Sequence, residues 1–314
     1  MKRKENMRHT ILGAGGSVGT ALAYQLLAAE KNVSLVSRSG HSIPGAEIIK
    51  ADLTSQEETL KSVENSDVVY LTVGLPYNSK IWKETWPVIM RNTIEACRRT
   101  GAKLIFFDNV YMYGKVTGKM TESTPYNPCS RKGEIRAEIA EMLESEMKSN
   151  NIKAVIARAA DLYGPFAART SLPFIFVFDK LMQGKKAQWF ADEHKKHSFT
   201  YTTDSAKGMF LLAQDEKCNN QVWHLPTYAP AITGKEFIEA VAKELNISPN
   251  YSVLKKWMLK FAGLFEKTAS ESVEMFYQYE NEYIFDSSKF NNFFNYSPTS
   301  YFEGIKETIK SLKN

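Results

Sequence analysis

From the N-terminus to about residue 160, short apolar runs alternate with longer amphipathic stretches. The apolar runs near 9–13, 33–37, 46–50, 67–73, 103–107 and 152–157 are bounded by turn residues and read as buried strands. The stretches near 17–30, 55–64, 79–100 and 132–149 repeat their apolar positions at helical spacing. Strict strand–helix alternation predicts an α/β fold, a doubly wound parallel sheet with ligands at the carboxyl ends of its strands. After Gly164-Pro165 the alternation breaks down: 166–197 is mixed, 203–214 is helical, and Gln221-Val222-Trp223-His224-Leu225 reads as a late strand. From Thr233, a plausible N-cap three residues before Glu236, the pattern is mainly helical. The predicted organisation is therefore a nucleotide-binding unit over 1–165, with 198–230 returning to it. A smaller, mainly helical substrate-binding region covers 166–197 and 231–314. Trp257, Phe261, Phe265, Phe276 and Tyr277 recur at helical spacing, which predicts that most of these rings pack in a core.

The first strand runs directly into Gly13-Ala14-Gly15-Gly16-Ser17-Val18-Gly19 and then into the first helix. Gly13 permits the tight turn, Gly16 lets backbone N–H groups approach a pyrophosphate, and Gly19 lets the helix lie close on the sheet. The helix that follows points its positive dipole end and its unpaired amides at the anion, so Gly13, Gly15, Gly16, Ser17, Val18 and Gly19 form a candidate phosphate cradle. A second strand arrives where a βαβ unit needs it.

That second strand ends Ser37-Arg38-Ser39, where dinucleotide-binding folds place an acid against the adenosine ribose hydroxyls. A carboxylate would repel a 2′-phosphate, whereas a guanidinium pairs with it bidentately and a serine hydroxyl adds a bond. Ser37 and Arg38 therefore favour NADP(H), with NAD(H) as the alternative cofactor; the bland reading makes Arg38 a solvated surface residue. Asp52-Leu53 suits the adenine edge, and Val73-Gly74 would pass under the nicotinamide ribose or serve as an ordinary strand-to-loop turn.

Composition narrows the class. The chain has 314 residues, 43% hydrophobic and 24% charged, as an ordinary globular protein does. Net charge is +5, but the excess sits in Met1-Lys2-Arg3-Lys4, Lys185-Lys186 and Lys195-Lys196 rather than in a basic stripe, which argues against a nucleic-acid partner. Neither a signal peptide nor a membrane span is legible, so no membrane partner is expected. Cys97, Cys129 and Cys218 are widely spaced without a CxxC, which speaks against disulfides and metal and for a reducing cytoplasm.

These motifs together resemble the short-chain dehydrogenase/reductases, specifically the extended, atypical NAD-dependent epimerase/dehydratase type with its Rossmann sheet. The resemblance rests on Gly13, Gly16 and Gly19, on Asp52-Leu53, on Asn109-Val110-Tyr111-Met112-Tyr113-Gly114, and on Arg158-Ala159-Ala160-Asp161-Leu162-Tyr163-Gly164-Pro165. Thr200-Tyr201-Thr202-Thr203-Asp204-Ser205-Ala206 completes the order. It implies an oxidoreductase or epimerase acting on a small hydroxyl or carbonyl compound, with a sugar nucleotide as the family-typical substrate. It also implies pairing of two copies through two helices.

In that family a Ser or Thr follows the fifth strand, and a Tyr and a Lys four residues apart share a helix face. Here the first position is Asn109; the lysine is matched by Lys132, and Pro128 stands four residues before it. Proline has no proton to exchange, so Tyr126 and Tyr113 are the candidate replacement acids, with a packed loop tyrosine as the alternative for each. Cys129 is a further candidate, with an ordinary buried thiol as its alternative. The pairs Tyr111/Lys115 and Tyr251/Lys255 fit the spacing but fall in unsuitable places. Asn109 can donate to a substrate carbonyl and Lys132 can hold the nicotinamide ribose. Loss of the tyrosine also admits a competing reading, a non-catalytic nucleotide-binding sensor.

Overall fold

The computed structural model describes residues 7–167 and 171–313; the basic Met1–Lys4 cluster and residues 168–170 of the mixed segment lie outside them. Seven strands form one sheet: β1 (Arg8–Leu12), β2 (Asn32–Ser37), β3 (Glu47–Lys50), β4 (Val68–Leu71), β5 (Lys103–Asp108), β6 (Ala154–Arg158) and β7 (Gln221–His224). Their order is β7-β6-β5-β4-β1-β2-β3, and every pairing is parallel. Ile11 sits between Leu35 and Tyr70, which fixes the register at the centre. Strand order reverses between β1 and β4, so a crevice opens at their carboxyl ends, where Gly13 and Thr72 lie.

Helices cover both faces, as parallel sheets require. On one face α1 (Ser17–Ala28) packs on the helix Thr202–Gln214. On the other lie α2 (Gln56–Val63), α3 (Ser79–Thr100) and α4 (Arg131–Lys148). Leu12, Leu71 and Phe106 anchor one core and Ile11, Tyr70 and Ile105 the other, because adjacent strand residues point to opposite faces. A third core, around Phe178, Trp189, Phe199 and Phe237, belongs to the region after the sixth strand. There Thr233 caps Gly234–Glu244 in a reciprocal capping box with Glu236, as the sequence predicts.

The expectation that most of the late aromatic residues pack in a core is not met. Phe276 and Tyr277 are buried, but Trp257, Phe261 and Phe265 are 69%, 63% and 81% exposed. Helical spacing tells which side chains share a face, not whether that face is covered.

Two buried histidines make stability depend on pH. Burial, with a smaller contribution from Lys31 opposed by Asp67, lowers the pKa of His9 from 6.5 to about 4. Burial likewise lowers that of His224 to about 3, against the bond to the Asp286 carbonyl. Below pH 6.5 the unfolded chain binds protons that the folded chain refuses, so stability is complete above that pH and falls toward pH 4. At about 1.4 kcal/mol per unit, His9 alone accounts for roughly 3 kcal/mol at the acid limit. Urea midpoints are therefore expected to drop between pH 7 and 5; a flat profile would contradict neutral burial of these rings.

Candidate active site

The first turn is built by close contact. Gly13 has φ +93°, and its N–H and that of Ala14 donate to the Val36 carbonyl at 3.0 and 3.3 Å, tying the turn to the end of β2. A Cβ on Gly13 would lie 2.6 Å from Val73 Cα, and one on Gly19 would lie 2.7 Å from the Gly13 carbonyl. The fold itself thus demands the first and third glycines. At Gly15 and Gly16 the nearest atoms to an added Cβ are 3.6 and 3.5 Å away, so these two leave the backbone open to an anion. Glycine at the N-cap supplies no side chain to cap the first-turn amides of α1, and no acid stands there to repel a phosphate. Beside Gly15 lies the His41 ring, whose buried Nε2 has no hydrogen-bond partner among the described residues. A turn that brings backbone close, an uncapped helix start and an orphaned ring nitrogen fit a dinucleotide phosphate. Ser17 is half-buried and Val18 buried at the helix start.

Around the cradle, Arg38 stands exposed at the end of β2. The Ser37 hydroxyl accepts the His41 amide at 2.9 Å and closes the turn between them. Asp52 accepts from the Thr54 amide and hydroxyl at 2.9 and 2.8 Å; those bonds, and secondarily Arg38, hold its carboxyl below the usual range. Leu53 is buried, Val73 half-buried and Gly74 exposed. A second cation escapes a motif search: the Lys50 side chain crosses the turn after Arg38, its Cε 2.5 Å from where a Cβ on Gly40 would sit. Strand pairing puts it there, since Lys50 lies beside Ser37 in the sheet.

At the carboxyl ends of β5 and β6 lies a buried charge network. Asp108 accepts from Arg136 Nε at 2.8 Å and from its Nη2, and from Arg158 Nε at 3.4 Å. Arg136 lies over the Trp86 ring at 4.6 Å. Tyr113 accepts from Arg158 Nη1 at 2.8 Å and bonds His224 Nε2 at 2.9 Å, while Tyr126 accepts from Arg158 Nη2 and donates to Glu144. Both phenols are thus committed to this network, and burial raises both pKa values. At the top of β5, Asn109 Oδ1 accepts the Tyr111 amide at 3.0 Å, which leaves Nδ2 as the donor end.

Helix α4 starts at Arg131 with Ser130 as its cap, so Pro128 precedes the helix and shares no face with Lys132. The pair four residues apart on α4 is Lys132 and Arg136. Lys132 is fully buried over the Tyr77 ring, and its ammonium donates to the Glu271 carbonyl at 3.0 Å, Glu271 Oε2 at 2.6 Å and Glu274 Oε1 at 2.7 Å. An ammonium has three protons, so in this arrangement none remains for a ribose hydroxyl. Glu271 also accepts from Ser79 at the start of α3, and Glu274 from the Arg131 amide. Burial works against ionisation of Glu271, but the Lys132 and Ser79 bonds outweigh it and hold the carboxyl below its ordinary range.

Next to Lys132 lies a tyrosine chamber outside the sequence expectations. Asp161 Oδ2 accepts from Tyr279 at 2.9 Å and bonds His197 Nε2 at 3.0 Å, and Tyr77 and Tyr111 bond each other. Burial raises the pKa of Tyr77, Tyr111, Tyr277 and Tyr279, so each keeps its proton at neutral pH. Tyr279 reaches Asp161 from 118 residues along the chain and His197 from 36, separations that no local pattern joins. Among the described residues no His, Cys, Asp and Glu cluster could hold a metal.

A family model described as the NAD-dependent epimerase/dehydratase family matches residues 9–224. The chain is 25% identical over 215 residues to an uncharacterized UDP-glucose epimerase, YtcB, of Bacillus subtilis, covering 65% of each protein. It is 23% identical over 181 residues to a dTDP-glucose 4,6-dehydratase of Mycobacterium tuberculosis, covering 51% of this chain and 55% of that one. The matches thus span less than two thirds of either relative's length. Its fold superposes with a TM-score of 0.81 on a Bacillus anthracis dTDP-glucose 4,6-dehydratase solved with NAD, at 16% identity over 98% of this chain and 96% of that one.

Proposed function

The chain belongs to the NAD-dependent epimerase/dehydratase family, and from that premise we propose an NADP(H)-dependent oxidoreductase or epimerase acting on the hydroxyl or carbonyl carbon of a sugar nucleotide. The observation that carries it is the cradle of Gly13, Gly15 and Gly16 at the open start of α1, with Arg38 and Lys50 at its rim. When bound, the nicotinamide supplies the hydride chemistry. Gly13 through Gly19 hold the pyrophosphate; Ser37, Arg38 and Lys50 the adenosine phosphate; Asp52 and Leu53 the adenine edge; Val73 and Gly74 the far ribose. Asn109 donates from Nδ2 to the reacting oxygen. Tyr113 and Tyr126 act through Arg158, keeping Asp108 and hence Asn109 in place, while Lys132 meets the ribose once Glu271 and Glu274 withdraw.

Arg38→Asp is expected to weaken NADPH about 10- to 100-fold and NADH less than about three-fold, because a paired charge is replaced by a like one only where a 2′-phosphate exists. Calorimetric titration of both cofactors checks this; equal losses would remove the NADP(H) assignment.

A second reading is favoured by the Lys132 clamp: a dinucleotide sensor without turnover, in which Glu271 and Glu274 stay on the ammonium. The enzyme is expected to convert at least one member of a panel of sugar nucleotides, and Lys132→Met to lower its turnover by about 100-fold or more while leaving the melting midpoint measurable. Tight dinucleotide binding with no product on any substrate would decide for the sensor.

A further inference from the structure

The stretch 255–267 leaves one side uncovered. Phe265, Leu264 and Trp257, at 81%, 75% and 69% exposure, are the three most exposed large apolar side chains among the described residues, and Phe261 in the same stretch is 63% exposed. They fall at i, i+4, i+7 and i+8, the spacing of one helix face. The Leu264 and Phe265 amides donate to the Phe261 and Ala262 carbonyls, which carries the turn past the end of the helix Lys256–Ala262. The Phe261 and Phe265 rings meet edge to face at 5.7 Å and form the centre of an exposed ridge. A contiguous exposed apolar ridge marks a surface that is covered in use.

We propose that this ridge docks on an anionic lipid surface. Lys255, Lys256, Lys260 and Lys267 lie in the stretch, against the single carboxylate of Glu266. Glu266 turns onto the amides of Thr268 and Ala269 at 2.9 and 2.6 Å, and Lys260 and Lys267 stand exposed. Lys255 and Lys256 brace the base of the ridge through the Ala191 carbonyl and Glu280. Rings that enter the headgroup boundary, with ammonium groups beside them to meet phosphates, are the chemistry of an interfacial element. A second copy suits the ridge poorly, because two-fold pairing would set the same lysines against one another.

No helix among the described residues is long and apolar enough to cross a membrane. A surface-seated element needs none, and this proposal departs from the expectation of no membrane partner. Along the chain the ridge is followed by Glu271 and Glu274, the two carboxylates on Lys132.

Co-sedimentation of the intact protein with phosphatidylcholine vesicles, and with vesicles carrying roughly a third phosphatidylglycerol, tests the proposal. Binding is expected to the anionic vesicles alone and to weaken with salt. The pair Phe261→Asp and Phe265→Asp is expected to lower partition about ten-fold or more, and Lys260→Glu with Lys267→Glu to do so chiefly at low salt. Melting midpoints should stay at the wild-type value, since these four side chains are exposed. Absence of binding to anionic vesicles, or binding that neither pair reduces, overturns the proposal. So does a wild-type dimer in sedimentation velocity that Phe261→Asp with Phe265→Asp converts to monomer, because a second copy would then cover the ridge.

Discussion

Asp108→Ala is expected to destabilise the protein by about 3–5 kcal/mol, the usual cost of leaving a buried charge without its partner. Asp108, Arg136 and Arg158 are all buried, and the one carboxylate serves both guanidiniums. Its removal leaves two cations in a medium that solvates them poorly, and Arg158 keeps only the neutral hydroxyls of Tyr113 and Tyr126. Asp108→Asn keeps an acceptor but loses the charge, and should fall between wild type and the alanine variant. Urea denaturation followed by tryptophan fluorescence measures the difference. A loss below about 1 kcal/mol, typical of exposed pairs, would show that water reaches this network. Since Asn109 donates its own amide to Asp108 at 2.8 Å, the same substitution should also unseat the residue proposed to touch the reacting oxygen.

Gly13→Val is expected to abolish dinucleotide binding, with a loss of about 100-fold or more in affinity. The backbone at φ +93° disfavours any side chain, by about 1–2 kcal/mol, before contacts are counted. The added Cβ would stand 2.6 Å from Val73 Cα and 2.7 Å from Val73 N, both backbone atoms that no rotamer change can move aside. Relief requires separating the first turn from the loop after β4, which opens the crevice where the dinucleotide is proposed to lie. Gly15→Ala is the control: its nearest contact is 3.6 Å away, from the His41 side chain, so the variant should fold with wild-type stability. If Gly13→Val binds NADPH as wild type does, the phosphates do not sit at this turn.

The sheet and its first glycine turn were legible because their determinants are local. Gly13, Gly16 and Gly19 lie between a strand and a helix close in sequence, and Thr233 with Glu236 sets a helix start within one turn. The four-residue spacing of Pro128 and Lys132 does not place them on one face, for an equally local reason: Ser130 caps the helix, which starts at Arg131. What closes over Lys132 was not legible at all. Glu271 and Glu274 lie 139 and 142 residues away, and nothing in their neighbourhood marks them as partners of a buried ammonium. The tyrosine chamber around Asp161 has the same character, since His197 and Tyr279 reach it from 36 and 118 residues along the chain. The late aromatic residues show a different limit. Trp257, Phe261 and Phe265 share a face as their spacing says, but only tertiary structure shows that nothing among the described residues covers it.

Isothermal titration of the purified chain with NADPH, and in parallel with NADH, tests the central claim most directly. The account predicts saturable one-to-one binding, tighter for NADPH, with a rise in melting temperature that tracks cofactor concentration. No heat and no thermal shift with either dinucleotide would contradict it.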